Sequence, residues 1–190
     1  MINEPFEQEQ LPPEQNSART KRINRGVTAA VVAIIVVLIA ALIVLFFIVT
    51  PYVVSGRSMT PTLQDGDHIM VLKVGFEIER GDIILFERPG GEAPPVKRVI
   101  AMGGDTVRFD GAQWYVNGEA LNEPYLAEQT YGEDYLSLFS ELSATELEEG
   151  LTLESDELFV LGDNRNNSFD SHDYGPVKQD WVLGKVVGVY

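Results

Sequence analysis

Gln113-Trp-Tyr-Val-Asn-Gly118 combines aromatic and β-branched residues with a terminal Asn-Gly pair. Asn-Gly is the strongest short signal for a hairpin, because both residues tolerate the positive φ that a type I′ turn requires. Similar short runs, each bounded by Gly, Asp, Asn or Pro, lie on both sides of it. Together with Gln113–Val116 itself, the runs are His68–Val74, Asp82–Glu87, Val96–Met102, Thr106–Phe109, Glu157–Leu161 and Trp181–Val189. The sequence therefore predicts a mainly β domain, built as an antiparallel sheet with Gly-rich turns.

Upstream of these strands lies an apolar run, Val27–Val49, that contains no charged residue. A helix of about 20 apolar residues crosses the hydrocarbon core of a bilayer. A cleavable secretory signal has a shorter apolar region of about 7–15 residues and ends in a small-x-small site, which Val49-Thr-Pro-Tyr52 does not provide. A run that is apolar on every face suits lipid better than the one-sided surroundings of a core helix. The sequence predicts a transmembrane helix over residues 26–49.

The charges that flank this span predict its orientation. Basic residues precede it closely at Arg19, Lys21, Arg22 and Arg25, whereas only Arg57 and Lys73 follow it. Basic residues stay on the cytoplasmic side, so residues 50–190 are expected outside the cytoplasm. Residues 1–18, rich in Glu, Gln and Pro, cannot bury enough apolar surface to fold. We expect residues 1–25 to form a disordered cytoplasmic tail and residues 50–190 to form the β domain.

The net charge of the chain indicates which kinds of molecule it can bind. A net charge of −15 argues against nucleic acid, because phosphate binding needs clustered Lys and Arg. Residues 127–157 contain ten acidic residues and no Lys or Arg. We expect this segment to form an acidic surface insertion, with Ser140–Glu149 as its helical part. The chain has no cysteine, so it has no disulfide and no thiolate metal site.

Three segments gather polar residues among glycines and strands, namely 55–63, 96–105 and 161–171. A serine hydroxyl needs a base to act as a nucleophile at neutral pH. The base could be the imidazole of His68 or His172, or a lysine amine made neutral by burial, for which Lys97 is the best candidate. From the residues alone, the pairing of Ser58 with Lys97 is one option among several. A turn serine before Pro61 and a solvated surface lysine are the ordinary alternatives.

Conserved boxes of bacterial type I signal peptidases resemble three segments of this chain. These are Ser58-Met59-x-Pro61-Thr62-Leu63, Lys97-Arg98-Val99-Ile100 and Gly162-Asp163-Asn164-Arg165-x-x-Ser168-x-Asp170-Ser171. They occur in the family's order, directly behind a predicted N-terminal membrane span. Gly81-Asp82-Ile83-Ile84 and the Val116-Asn-Gly118 hairpin also match the family's pattern. The resemblance covers Pro51 to Tyr190 apart from the acidic segment.

The resemblance implies a membrane-anchored serine endopeptidase that removes signal peptides from exported preproteins by cutting after Ala-x-Ala-like sites. Ser58 is then the nucleophile, Lys97 the general base, and Ser168 the residue that orients the lysine amine. The backbone N–H of Ser58 is expected to stabilise the oxyanion. The shallow substrate pockets are implied at Tyr52, Val54, Met59, Leu63 and Val96. Structural support of the site is implied for Gly162, Asp163, Asn164, Arg165, Asp170 and His172.

The same resemblance implies the partners and the location. Preprotein signal peptides and the lipid bilayer are the expected partners, with the secretion translocon as a further candidate. The expected protein is a monomeric, single-pass protein of the bacterial plasma membrane that uses no cofactor and no metal. Nine residues run from Thr50 to Ser58 and reach at most about 30 Å. This tether holds the nucleophile near the bilayer surface, where a signal peptide presents its cleavage site.

Departures from the family's pattern concern two positions of the site. Some members carry a serine two residues before the nucleophile, and its hydroxyl completes the oxyanion hole. Gly56 stands there in this chain, so a backbone N–H or water must be the second donor. An arginine commonly follows the Asp-Ser of the third box, where this chain has His172. We expect this histidine to weaken the support given by Asp170 or to make it pH-dependent.

Other functions stay open at this point. A non-catalytic anchored assembly factor of the same fold would typically lack Ser58 or Lys97, and both are present. A Ser-His-Asp triad through His172 would require that imidazole to lie beside Ser58. A self-cleaving regulator of related fold is disfavoured by the membrane span and by the lack of a recognisable DNA-binding module.

Overall fold

A computed structural model of the protein describes residues 13–91, 93–126, 135 and 141–190, with side chains from residue 25 onward except those of residues 141–144. The chain divides into two compact units, Met1–Phe46 and Phe47–Tyr190. In the described part of the chain, the first unit is helical and the second carries the strands.

Helix α1, which spans Pro13–Ile48, supplies the described part of the first unit. Its portion Arg25–Ile48 is long and apolar enough to cross a membrane, and none of that portion is buried within the structure. The helical residues therefore include almost all of the span that the sequence predicts over 26–49.

Helix α1 begins earlier than the sequence predicts. Residues 13–25, which we expected in a disordered tail, are helical. Proline fits the first position of a helix, where its missing N–H costs nothing. Extending a helix that already exists also avoids the cost of nucleating a new one. Residues 1–12 of the predicted tail lie outside the described residues.

The second unit is built from antiparallel strands, numbered here in chain order. They are β1 Val49–Val53, β2 His68–Leu72, β3 Ile83–Phe86, β4 Val96–Met102, β5 Thr106–Phe109, β6 Trp114–Val116, β7 Glu119–Ala120, β8 Leu151–Thr152, β9 Glu157–Leu161, β10 Val177–Lys178 and β11 Val182–Val189. The larger sheet has the order β1-β2-β11-β3-β4-β9-β10, and the smaller sheet has the order β7-β6-β5-β8. The mainly antiparallel β fold that the sequence predicts is thus confirmed.

The predicted Asn-Gly hairpin joins β6 to β7. Asn117 has φ +55° and Gly118 has φ +81°, which are the left-handed values that a type I′ turn requires. Val116 pairs with Glu119 directly across this turn. The turn residues therefore determine the register of the hairpin.

Strand β4 lies at the centre of the fold, between β3 and β9. Each of its residues from Val96 to Ala101 is buried. Such a strand is covered on both faces, so its apolar residues do not need to alternate with polar ones. Lys97 and Arg98 interrupt the apolar run, and a buried ionisable group needs polar partners.

The acidic segment 127–157 is more than the surface insertion that the sequence predicts. Its described part contains helix α2 at Glu141–Glu149, close to the predicted helix, and strand β8, which pairs with β5. Tyr135 and Leu147 are each 2% exposed and belong to a core cluster with Trp114. Among the described residues of the segment, Tyr135, Leu147 and Leu153 are buried, whereas Glu146, Glu148 and Glu149 are exposed. Residues 127–134 and 136–140 lie outside the described residues.

Candidate active site

Ser58, the predicted nucleophile, lies in the loop between β1 and β2 and is held by the loop that follows β9. The backbone N–H of Asn164 donates to the carbonyl of Ser58 across 2.9 Å. The side-chain amide of Asn164 donates to the carbonyl of Arg57 across 3.0 Å. Because one residue engages two consecutive carbonyls, the backbone at Ser58 is fixed against this second loop.

Gly162 allows the two loops to approach each other closely. A Cβ at this position would lie 2.4 Å from the carbonyl oxygen of Ser58 and 2.2 Å from Oγ of Ser168. Both distances are far inside van der Waals contact, so no side chain fits there. The glycine therefore brings the backbone of Ser58 and the hydroxyl of Ser168 beside the same residue.

Lys97, the predicted base, is on β4 and is 3% exposed. Its amine Nζ donates to Oγ of Ser168 across 2.9 Å. Burial lowers the pKa of Lys97 below its ordinary value, against the opposing charges of Asp170, Asp173 and Asp163. Burial thus favours the neutral amine, which is the form that can act as a base.

Asp170 continues this chain of hydrogen bonds. The hydroxyl of Ser168 donates to Oδ2 of Asp170 across 2.5 Å, and the backbone N–H of Gly162 donates to the same oxygen across 2.8 Å. Burial alone would raise the pKa of Asp170, but the hydrogen bond from His172 and the charges of His172 and Lys97 hold that pKa below its usual value. Asp170 is therefore an ionised acceptor at the end of the chain that begins at Lys97.

His172 lies behind Asp170 and is fully buried. Its Nδ1 is 2.5 Å from Oδ1 of Asp170, and its Nε2 is 3.3 Å from Oδ2 of Asp173. The atoms of Asp170, His172 and Asp173 that could bind a metal ion lie within 4.8 Å of one another. The contacts that these residues make with one another account for this closeness. In a Ser-His-Asp triad Nε2 would have to face the nucleophile, but here Nε2 lies beside Asp173, so the structure gives that alternative no support.

A buried ion pair joins the three boxes of the sequence. Arg98 donates through Nε to Oδ1 of Asp163 across 2.8 Å and through Nη2 to Oδ2 across 2.6 Å. The hydroxyl of Thr62 also donates to Asp163, across 2.5 Å. The bidentate pair of Arg98 and Asp163, with Thr62, holds β4, the loop after β9 and the segment that follows Ser58 in fixed positions relative to one another.

Arg165 anchors the third box from the other side. Its side chain is 1% exposed, and its Nε donates to the carbonyl of Gly162 across 3.0 Å. Its Nη1 donates to Glu123 across 3.0 Å, and its Nη2 also donates to that carboxylate. Arg165 thus connects the backbone at Gly162 to Glu123.

A cleft of about 210 Å³ opens beside Ser58. It is lined by Tyr52, Val54, Ser55, Ser58, Met59, Ala93, Pro94, Pro95 and Val96. One wall comes from the segment before the nucleophile and the other from the segment before Lys97. The hydroxyl of Tyr52 donates to the carbonyl of Pro94 across 3.1 Å and so links the two walls. Leu63, also predicted as a pocket residue, is 1% exposed and lies in the core cluster that includes Met59 and Val96.

The backbone N–H groups near Ser58 are the candidate donors to the oxyanion. The N–H of Gly56, at φ +91°, donates to Oδ1 of Asp65 across 2.8 Å. That donor is therefore already engaged. Within the described ranges, no acceptor takes the backbone N–H of Ser58, so this N–H is available to a bound oxyanion.

The structure thus brings together Ser58, Ser168 and the loop from Gly162 to Arg165, with Lys97 bonded to Ser168. Sequence reasoning missed Glu123, because its partner Arg165 is 42 positions away and no local pattern links them. It also missed the cleft wall at Pro94 and Pro95. Their position directly before Val96 was the available signal, since two prolines make a stiff extended segment.

Comparison with known proteins relates this site to a family. The family model described as "Signal peptidase, peptidase S26" matches residues 27–190. The chain is 35% identical over 147 residues to signal peptidase IB of Staphylococcus aureus (strain COL), which covers 74% of this chain and 76% of that protein. It is 38% identical over 145 residues to signal peptidase I of Bacillus caldolyticus, covering 74% and 78% respectively. A crystal structure of a signal peptidase I from Enterococcus faecalis V583 is 33% identical and covers 59% of this chain and 98% of that chain, with a TM-score of 0.48.

The family match covers every predicted site residue, from Tyr52 to His172. The two bacterial relatives are each similar to this chain over about three quarters of its length. The chain therefore belongs to the signal peptidase family, peptidase S26, as a serine endopeptidase of the bacterial type I class.

Proposed function

We propose that this peptidase removes signal peptides from exported preproteins by cutting after Ala-x-Ala-like sites, with Ser58 as nucleophile and Lys97 as general base. The observation that carries the proposal is the burial of Lys97 together with the hydrogen bond from its amine to Ser168. Burial favours the neutral amine, and only the neutral amine has a lone pair that can accept a proton.

Acylation is the first half of the proposed reaction. Nζ of Lys97 takes the hydroxyl proton of Ser58 while Oγ of Ser58 bonds to the scissile carbonyl carbon. The tetrahedral intermediate then collapses, the C–N bond breaks, and Lys97 gives its proton to the leaving amine. The mature protein departs with a new N-terminal amine, and the signal peptide stays on Ser58 as an ester.

Deacylation repeats these steps with water. Lys97, neutral again, takes a proton from a water molecule whose oxygen attacks the ester carbon. The bond between that carbon and Oγ of Ser58 breaks, and the proton on Lys97 returns to Ser58. The signal peptide leaves with a free carboxyl group, and the enzyme is restored.

Asp170 supports this cycle by setting the direction of one hydrogen bond. A serine hydroxyl has a single hydrogen, and that of Ser168 is donated to Asp170. The oxygen of Ser168 therefore accepts an N–H from Lys97 and does not occupy the lysine's lone pair. The lone pair stays available for the proton of Ser58.

The oxyanion needs donors beside Ser58. The first donor is the backbone N–H of Ser58, since no described residue accepts a hydrogen bond from it. The second is proposed to be water, because the N–H of Gly56 is engaged by Asp65 and Gly56 has no side chain. Removal of one oxyanion donor typically costs about 2.7–4 kcal/mol of transition-state stabilisation.

Substrate selection is proposed to occur in the cleft beside Ser58. Its volume of about 210 Å³ and its apolar walls at Val54, Met59 and Val96 suit small side chains. Alanine at the first and third positions before the cut fits such a site better than a larger residue does.

Helix α1 is proposed to anchor the enzyme in the plasma membrane as a single span. Its portion Arg25–Ile48 has the length and composition for this role. The basic residues between Arg19 and Arg25 favour a cytoplasmic N-terminus and an extracytoplasmic catalytic unit. An anchored enzyme then meets a substrate that is held in the same bilayer by its own apolar segment.

The proposal is tested with detergent-solubilised full-length protein and a preprotein that carries an Ala-x-Ala site. Wild type is expected to cut after the second Ala, whereas Ser58→Ala and Lys97→Met are expected to be inactive and folded. Cutting by Lys97→Met would show that another group is the base. Failure of wild type on several signal sequences would favour a non-catalytic anchored role.

A further inference from the structure

A second cavity lies beside the substrate cleft, and the proposed mechanism does not use it. Its volume is about 360 Å³, larger than that of the cleft itself. The described residues that line it are Glu87, Arg88, Pro89, Gly91, Ala93, Pro94 and Trp181. Ala93 and Pro94 line both spaces, so the second cavity and the cleft adjoin at these two residues.

Arg88 is the cationic group of this second cavity. Its guanidinium carbon is 5.1 Å from the ring centre of Phe169 and 5.2 Å from that of Tyr174. The two rings are themselves 5.3 Å apart in an edge-to-face arrangement. Phe169 is 58% exposed and stands directly next to Ser168. The rings orient the guanidinium through cation–π contacts that leave its N–H edges unused.

The hydrogen-bonding capacity of Arg88 is not used within the described part of the chain, where its guanidinium makes no hydrogen bond and no ion pair. Three other arginines, Arg80, Arg98 and Arg165, each pair with a carboxylate. Glu87 also lines the cavity, but in the described part of the chain it is not a partner of Arg88, so the guanidinium stays available although the net charge is −15. A guanidinium carries five N–H donors and matches carboxylate or carbonyl oxygens.

The position of the cavity indicates which part of a substrate would reach it. Val96 is adjacent to Lys97, the proposed base, and Pro94 and Ala93 lie progressively further from that base along the same wall. The hydroxyl of Tyr52 donates a hydrogen bond to the carbonyl of Pro94, where the cleft and the second cavity adjoin. If the cleft holds the residues before the cut, the space beyond Pro94 meets residues still further upstream in the signal peptide.

The geometry points to an upstream subsite: the second cavity binds the polypeptide segment that precedes the third residue before the cut, and Arg88 donates hydrogen bonds to carbonyl or carboxylate oxygens of that segment. This inference rests on the proposed function, because it takes the cleft beside Ser58 as the place of the small residues. It adds a specificity determinant that lies outside the cleft.

The test compares two synthetic peptides with the same Ala-x-Ala site, cut by detergent-solubilised full-length enzyme. The long peptide carries six residues upstream of the first Ala, and the short peptide begins at that Ala. Hydrogen bonds to a charged group justify an expected gain of about tenfold in kcat/KM for the long peptide over the short one with wild type. Arg88→Gln is expected to abolish this length advantage.

Arg108→Gln is the matched control, because Arg108 also stacks on a ring, that of Tyr115 at 4.3 Å, but lies on β5 of the smaller sheet. It should keep the full length advantage. An Arg88→Gln enzyme that keeps the advantage, or that loses activity equally on both peptides, would overturn the inference. If peptides lengthened only after the cut also gain activity through Arg88, the assignment of the cavity to the upstream segment is wrong. Failure of wild type on both peptides would instead contradict the proposed function.

Discussion

Ser168 donates its only hydroxyl hydrogen to Asp170 across 2.5 Å. The oxygen of Ser168 must therefore accept from the amine of Lys97, which is 2.9 Å away. The hydrogen bonds run in one direction, from Lys97 through Ser168 to Asp170. A neutral lysine held in this way keeps its lone pair for a different proton, and that is what the proposed general base requires.

Asp170→Asn should reverse this direction without removing the side chain. The new amide can donate to Ser168, whose hydroxyl would then donate to the lone pair of Lys97 and occupy it. We expect kcat/KM to fall by about 100-fold or more, the range of a lost general base, with little change in KM. Steady-state kinetics on an Ala-x-Ala preprotein measures this.

The matched control for that variant is Asp156→Asn, because the side chain of Asp156 is 61% exposed and is bonded to Lys178 at the surface. It should leave the kinetics unchanged. Thermal unfolding of both variants separates a catalytic loss from a loss of folding. If Asp170→Asn is folded and as active as wild type, the direction of the hydrogen bonds has no catalytic role.

The pH dependence of cleavage should follow Lys97. Burial lowers the pKa of Lys97 below its ordinary value of 10.5, and the neutral amine is the active form. The rate constant kcat/KM should therefore rise with pH, with a midpoint below 10.5. A pH–rate profile from pH 6 to 10 measures the midpoint. A profile that stays flat across this range would argue against Lys97 as the base.

The free energy of unfolding should also depend on pH through Lys97. Between the lowered pKa of the folded state and the ordinary pKa of the unfolded state, the unfolded chain binds more protons. The free energy of unfolding therefore rises with pH across that window. Lys97→Met removes this contribution, so the difference between variant and wild type should change with pH there. Melting temperatures measured at several pH values test the sign.

Gly162→Ala should damage the site through one methyl group. That methyl would lie 2.2 Å from Oγ of Ser168 and 2.4 Å from the carbonyl oxygen of Ser58. We expect a loss of about 1–3 kcal/mol in the free energy of unfolding and loss of cleavage. Gly188→Ala is the matched control, because nothing lies within 4 Å of a Cβ at Gly188. Normal cleavage by Gly162→Ala would contradict the close approach of the two loops.

The buried pair of Arg98 and Asp163 should be costly to break. Arg98→Gln leaves the carboxylate of Asp163, which is fully buried, without its charge partner. Such a change typically lowers the free energy of unfolding by about 3–5 kcal/mol. Arg80→Gln is the comparison, because Arg80 is 46% exposed beside Asp105 and exposed pairs contribute about 0–1 kcal/mol. Equal effects of the two variants in chemical denaturation would contradict this ranking.

Much of the fold could be predicted because the relevant signals are local. The hairpin at Asn117 and Gly118 follows from two residues that tolerate positive φ, and the structure has both in that conformation. The apolar run of α1 is equally local, since its length and composition alone indicate a membrane span. The acidic segment was predicted less well. Leu147 stands among acids and Tyr135 directly follows two of them, and only the packed core shows that both are buried.

The active site, too, was predictable only in part. The residue types and their order identified Ser58, Lys97 and Ser168 through the resemblance to a family, whereas the residues alone left His172 open as a base. The tertiary structure favours Lys97 as the proposed base, because the protonation of a lysine and the direction of a hydroxyl depend on neighbours far away in the chain. Lys97 and Ser168 are 71 positions apart.

The sequence by itself thus determined the strands, the apolar helix and the identity of the polar groups, all of which depend on residues a few positions apart. The tertiary structure alone decided which of those groups meet, how deeply each is buried, and which atom donates to which. Burial lowers the pKa of Lys97, and Asp170 orients Ser168, because these residues from distant segments share one buried interior where a polar group must find a partner.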